Sequence, residues 1–330
     1  MLLCVMAVSL CLGSSGVSIG DVIKYFTGRG EMLPNTTLTI IGRIRIPRTL
    51  TAALVGGALA SVGCIMQGVF RNPMADPSVL GISSGAALGA AVAIVTGLNG
   101  VILFGAFTGA YIGAIIGALV TWLMVFTIAT RNGHYDTSST LLAGIAISSI
   151  MSALITVLMT LHLEQMERVY LWMLGTFSAS TTEKTKILVI AVCILMPVLI
   201  IIAPRIDVMK LGREAALTLG VNQKRTLAIT LAACSALLAM CVANSGIIGF
   251  VGLIIPHIVS FFRVTRMRRR LALSFFTGAV FMVLCDTVCK TVVAPGELAI
   301  GAVTSLIGAP YFLILLMRSR IRSGKEKTSV

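Results

Sequence analysis

No Asp, Glu, Lys or Arg occurs between residues 77 and 130, a run of 54 uncharged positions. Further uncharged runs cover residues 226–262, 49–70, 137–163, 187–204 and 298–317, with lengths of 37, 22, 27, 18 and 20. A helix needs about 20 apolar residues to cross the hydrocarbon of a bilayer. It also satisfies its own backbone hydrogen bonds, which lipid cannot do. Strands of a membrane barrel would be about 10 residues long and alternate in polarity, whereas these runs are longer and apolar on all sides. The chain reads as an all-α polytopic membrane protein, one domain over residues 1–330.

Helices are predicted near 1–14, 48–70, 78–97, 101–130, 137–162, 187–204, 226–244, 247–262, 271–290 and 298–317. Charge decides whether residues 226–262 hold one helix or two. Three basic clusters lie at Arg205–Arg225, at Arg263–Arg270 and in the C-terminal tail from Arg318 to Lys327. All three face the cytoplasm, as the positive-inside rule expects, only if two helices separate the first from the second. The turn then falls at Asn244-Ser245-Gly246.

Ten transmembrane helices result, with both termini cytoplasmic. The net charge of +14 divides into 17 Lys and Arg with 5 acids inside, and 9 with 7 outside. In a soluble protein such an excess would point to nucleic acid. Here it orients loops, and no nucleic acid partner is expected. Arg43, Arg45 and Arg48 break the rule by falling on the outer side.

Gly105, Gly109, Gly113 and Gly117 repeat along one helix face, and Gly81, Gly85 and Gly89 along another. Such faces allow close helix approach, and packing within the bundle is favoured over a dimer contact. The eight Cys form no C-x-x-C pair and read as small packing residues, with no metal site. Asp286 is the one clear acid within the spans, read as capping or pairing with Lys290 in preference to a proton relay. No G-x-x-x-x-G-K-[ST] run exists, and no arrangement of the three His suggests catalysis. The composition leaves a pathway without an engine.

The motifs sharpen this. RIPRTL at 45–50 is followed by GGALASVGCIMQGVFRNPMADPSVLGISSGAALG at 56–89. Then come LLAGIAISSIMSAL at 141–154, LGREAALTLGVN at 211–222, SGIIGFVGLIIPHIV at 245–259 and GELAIGAVTSLIGAPYFLILL at 296–316. In this order the segments resemble the permease family of bacterial importers for iron–siderophore, haem and vitamin B12, the transmembrane subunits of ATP-binding-cassette importers. There are two departures. Ser260 stands where the family carries Arg, and the family usually has more residues before its first span.

The resemblance implies a type II importer permease fold in the bacterial inner membrane. It implies a second permease copy, identical or related, two ATPase subunits that use ATP and Mg, and a periplasmic or lipoprotein substrate-binding protein. No cofactor is expected on this chain itself. Cargo moves by alternating access. It is most simply an iron–siderophore, with haem or vitamin B12 as the alternative. An ion-coupled secondary transporter or channel is the rival class, and a membrane enzyme has no residues to support it.

Site residues follow by resemblance. The coupling loop at about 205–225 would meet the ATPase through Leu211, Gly212, Arg213, Glu214, Ala215, Ala216, Leu219, Gly220 and Val221. Its own pattern is an apolar stripe of Leu211, Ala215, Ala216 and Leu219 with Gly220 as a helix stop. That pattern alone leaves a lipid-surface helix equally open. Arg45, Arg48 and Lys290 match basic residues on which the binding protein docks, against simple snorkelling at helix ends. Thr137 and Ser138 match an inner gate at the interface of two permeases, with Ser83 and Ser84 as a second pathway lining. Helix capping by these hydroxyls is the alternative, ranked below the gate for Thr137 and Ser138 and equal to it for Ser83 and Ser84.

Overall fold

The computed structural model describes the chain apart from residues 14–15, 30, 32, 99–101, 104–106, 131–136, 294–295 and 328–330. Side chains at 79, 102–103, 129–130, 137–139, 213, 316 and 318–327 also lie outside the description. The helices are α1 (Leu2–Cys11), α2 (Ile19–Phe26), α3 (Asn35–Thr39), α4 (Ile46–Val69), α5 (Ile82–Val95), α6 (Gly109–Thr130) and α7 (Thr137–Leu161). They continue as α8 (Leu163–Leu174), α9 (Thr182–Met209), α10 (Arg213–Thr218), α11 (Gln223–Ser245), α12 (Val251–Ser260), α13 (Met267–Thr291) and α14 (Ile300–Lys327). Among the described residues six helices are long and apolar enough to cross a membrane, and four shorter apolar stretches (α1, α5, α12 and the start of α14) complete the ten expected. α2, α3, α8 and α10 are additional short helices.

α4 forms the centre. Most of its residues are buried, and it packs against α13, α12, α9 and α11. Glycines set the approach. A Cβ on Gly63 would strike the Gly252 carbonyl of α12, and one on Gly278 would strike the Gly56 carbonyl of α4. The repeated glycines of α5 and α6 face each other, with Gly85 against Gly117 and Gly89 against Gly113. They serve packing inside the bundle, as expected. Gly105 lies outside the described residues.

Side-chain ties fix which helix ends share a side. Asp207, near the end of α9, accepts a hydrogen bond from the Met267 backbone N–H at the start of α13 (2.8 Å). Arg71, just after α4, donates to the Met209 carbonyl at the end of α9. The basic clusters at 205–225 and 263–270 therefore lie on one side, and α11 and α12 form the return between them. The turn falls where expected: α11 ends at Ser245, and Gly246 takes φ +71°. At the opposite side Lys290 of α13 reaches Ser9 near the end of α1, so α1 runs from there toward the arginine side. α14 starts at that opposite side, where the Ile300 N–H bonds the Gly175 carbonyl (3.2 Å), and runs back. α1 and α14 thus both have the arginine side at the end away from this contact layer.

Several boundaries differ from expectation. The second span starts earlier, because a π-helical turn (Ile40–Arg45) joins α3 to α4 in a continuous run Asn35–Val69. Pro47 lies inside that run just after the π-helical turn, where its missing N–H removes one helical hydrogen bond. Ile102–Leu103 pairs antiparallel with Phe107–Thr108, so α6 begins at Gly109 instead of 101. α12 has only 10 residues, roughly 15 Å of helix. It is buried between α4 and α13, where protein replaces lipid as the surroundings of the irregular residues 246–250. α8 has Val169 buried, and Glu164, Glu167 and Arg168 interrupt its apolar residues.

Candidate functional site

Three groups of residues stand out: a short helix with its anchors on the arginine side, a hydroxyl-bearing face of α7, and a buried ionic cluster at the other side. α10 is six residues long and bounded by glycines. Gly212 has φ +113° and Gly220 φ +72°, and a Cβ at either would meet nothing within 4 Å. Backbone conformation, not space, requires glycine at both positions. The exit is a Schellman motif. The Val221 N–H bonds the Ala216 carbonyl (2.8 Å) and the Gly220 N–H bonds the Leu217 carbonyl (3.0 Å). Asn222 then caps α11 by accepting from the Arg225 N–H (3.0 Å).

The expected apolar stripe divides in two. Ala216 is fully buried and Ala215 half-buried, while Leu211 and Leu219 are 68% and 60% exposed, together with Leu217 at 60%. The helix is too short to carry Leu211 and Leu219 on the face that holds Ala216. Glu214 is exposed, and the Arg213 side chain lies outside the described residues. The outward leucines are the unsatisfied surface of this loop. Asp207 anchors it: one carboxylate oxygen takes Lys210 Nζ (2.8 Å) and the other the Met267 N–H. Asp207 thus supplies the cap that α13 lacks from its own Arg266. The sequence offered no sign of this, because the partners are 60 residues apart.

On the same side the starts of α5 and α7 adjoin. Leu80, Ile82 and Thr140 line one small cavity, and Gly81 approaches the Gly144 carbonyl and Ser148 of α7. Ser83 is buried and Ser84 half-buried at the start of α5. Thr137 and Ser138 open α7 by their backbone, and their side chains lie outside the described residues. Further along α7, Ser149, Ser152, Thr156 and Thr160 are all exposed at helical spacing. Ser149, Thr156 and Thr160 bond back to carbonyls four residues earlier, at 2.8–3.0 Å. Their hydrogens are satisfied, yet their oxygens face outward from a span.

At the opposite side the three cations expected at the mouth point inward. Arg48 is 8% exposed. Its Nη2 and Nε grip Asp286 at 2.8 and 3.0 Å, and its Nη1 donates to Glu297 at 2.6 Å. Asp286 therefore pairs with Arg48, not with Lys290. Lys290 is 6% exposed and donates to the Ser9 carbonyl (2.7 Å) and hydroxyl (3.0 Å). Arg45 is 5% exposed and donates to the Leu10 carbonyl (2.6 Å). A buried cation must be paired or hydrogen-bonded, and these three meet that need within the chain by fastening α1 and the segment before α14 to α4 and α13. Arg43, one turn away, is exposed.

Residues 1–318 match the profile of the FecCD transport family. The chain belongs to that family. It is 39% identical over 291 residues to the cobalamin import system permease protein BtuC of Halobacterium salinarum, covering 88% of this chain and 77% of that protein. It is 38% identical to the hemin transport system permease protein HmuU of Yersinia pestis, covering 96% and 95%. A solved structure described as an inward-facing conformation of a metal-chelate type ABC transporter superposes with a TM-score of 0.82 at 30% identity, covering 96% of each chain.

Membership makes this chain a multi-pass permease of an ATP-binding-cassette importer in the cytoplasmic membrane. The FecCD motifs quoted from the sequence fall at structural junctions. The segment 211–222 is α10 with its caps, and 245–259 is the α11–α12 return. The segment 296–316 carries Glu297 and the start of α14.

Proposed function

We propose that this chain forms one half of the translocation pathway of an ATP-driven importer for an iron chelate, most simply an iron–siderophore. The observation that carries the reading is α10: a capped six-residue helix on the arginine side with Leu211, Leu217 and Leu219 turned outward. Such a knob fits a groove on a separate ATPase subunit. Asp207 would pass its displacement to α13, and the Arg71 contact would pass it to α4. ATP and Mg belong to that partner, with no cofactor on this chain and no covalent chemistry.

The second permease copy, identical or related, would face the hydroxyl-bearing side of α7, so that Ser149, Ser152, Thr156 and Thr160 line a wettable pathway between the copies. Thr137 and Ser138 with Ser83 and Ser84 would close it on the cytoplasmic side, where the starts of α7 and α5 adjoin. Docking of a substrate-binding protein through Arg45, Arg48 and Lys290 would require these cations to exchange partners inside the chain for acids of the delivery protein. Exposed Arg43 needs no such exchange, and Arg43→Glu isolates docking from folding.

For the cargo, relatives named for hemin and for Fe(3+)-citrate (the import system permease protein YfmE of Bacillus subtilis, 33% identical) support iron. The cobalamin relative keeps vitamin B12 as the second reading. The coupling role is tested by co-purification. Leu217→Asp with Leu219→Asp should insert normally and lose the ATPase subunit. Unchanged recovery of the ATPase would refute the role of α10.

A further inference from the structure

The loop between α12 and α13 and the first turn of α13 together hold five arginines in eight residues: Arg263, Arg266, Arg268, Arg269 and Arg270. None of the ion pairs found among the described residues includes any of them. Arg270 is half-buried, and its Nε is buried without a hydrogen-bond partner. Arg263 takes φ +53°, a left-handed conformation that a long side chain adopts at a cost. Phe262, Arg263, Val264, Thr265, Arg266 and Arg269 line a cleft of about 360 Å³. Phe261 and Phe262 are 67% and 70% exposed beside it, immediately after the last turn of a span.

Orientation by the positive-inside rule needs charge alone. It needs neither a cleft, nor a constrained arginine, nor two exposed aromatic rings at the level where a span meets the headgroups. We propose that this loop binds the headgroup of an anionic phospholipid, with Arg263, Arg266 and Arg269 around the phosphate and Phe261 and Phe262 against the upper acyl chain. Arginine presents a planar fork that matches phosphate oxygens, and clustered cations at the cytoplasmic end of a span attract anionic lipid at about 1 kcal/mol each. The exposed rings favour lipid over a soluble phosphate or an ATPase face.

The test uses the full chain in neutral detergent, titrated with phosphatidylglycerol or phosphatidylcholine and read by native mass spectrometry. Phosphatidylglycerol should bind tightly and phosphatidylcholine weakly. R263Q/R266Q/R269Q should weaken phosphatidylglycerol about 100-fold, three cations at that per-residue attraction. R318Q/R320Q/R322Q removes equal charge from the tail and should change binding less than about twofold. Phe261→Ser with Phe262→Ser keeps every charge and should still weaken the lipid, which covers the case where the triple variant fails to fold. The proposal is overturned by equal losses in loop and tail variants, or by unchanged binding in both loop variants. It is also overturned if inorganic phosphate displaces the lipid at equal concentration, which assigns a free anion. Loss of the ATPase subunit with lipid binding intact assigns a protein contact instead.

Discussion

Arg48 is a buried cation whose charge is met inside the chain by two acids. Sequence places it at the outer end of a span, and that is where it lies. Sequence cannot show that Asp286 and Glu297, 238 and 249 residues away, close on it. Removing one partner of a buried ion pair strands the other at a cost of about 3–5 kcal/mol, whereas replacing both by apolar groups costs much less. Asp286→Ala should therefore lower thermal stability in detergent strongly, and Arg48→Met with Asp286→Leu and Glu297→Gln, which leaves no stranded charge, should recover most of the loss. Thermal unfolding followed by tryptophan fluorescence measures both. Equal stability of Asp286→Ala and the parent chain would remove the pair from the structural role given to it. Charge reversal at Arg48 consequently reports stability before it reports docking.

Helices in this protein meet through backbone, so single methyl groups decide whether they can. Val at Gly89 would push against the Gly113 carbonyl. Overpacking of this kind costs about 1–3 kcal/mol, so Gly89→Val should lower the unfolding temperature. Gly249→Ala, which meets nothing within 4 Å, should leave it unchanged. The glycine faces were legible because their spacing is a direct record of helix contact. α8 and α10 were less so. In α8 the charges interrupt the apolar run, and in α10 six residues are too few for a periodic pattern to separate the buried Ala216 from the exposed leucines. For α7, Ser149→Trp and Thr156→Trp place bulk on the proposed pathway face without touching the buried face. Each should keep expression and dimer assembly while removing most uptake, as a blocked constriction would. Uptake at the parent rate from both variants would move the pathway to another helix.

At the scale of the whole molecule, charge told most of the topology. Three basic clusters on one side require an even number of crossings between them, and the Asp207–Met267 and Arg71–Met209 contacts show the first two meeting there. What charge could not give was the set of contacts that turns a bundle into a machine. Those contacts join residues 60 to 281 positions apart and depend on the packed fold. Asp207 links the loop bearing α10 to α13, and α13 in turn holds the outer cluster through Asp286 and Lys290, so one helix connects both faces of the membrane. Asp207→Asn keeps one acceptor for the Met267 N–H and loses the Lys210 ion pair. Asp207→Ala loses both. Coupling of ATP hydrolysis to uptake should fall in the order parent, Asn, Ala, while ATPase binding stays constant.

The most direct measurement is transport itself. The permease is reconstituted with its co-purified ATPase in liposomes, with the binding protein and a radiolabelled iron–siderophore outside. Uptake should require ATP at the ATPase face, require the binding protein, and persist when proton and sodium gradients are collapsed. Uptake that proceeds without ATP and follows an imposed ion gradient would contradict the account.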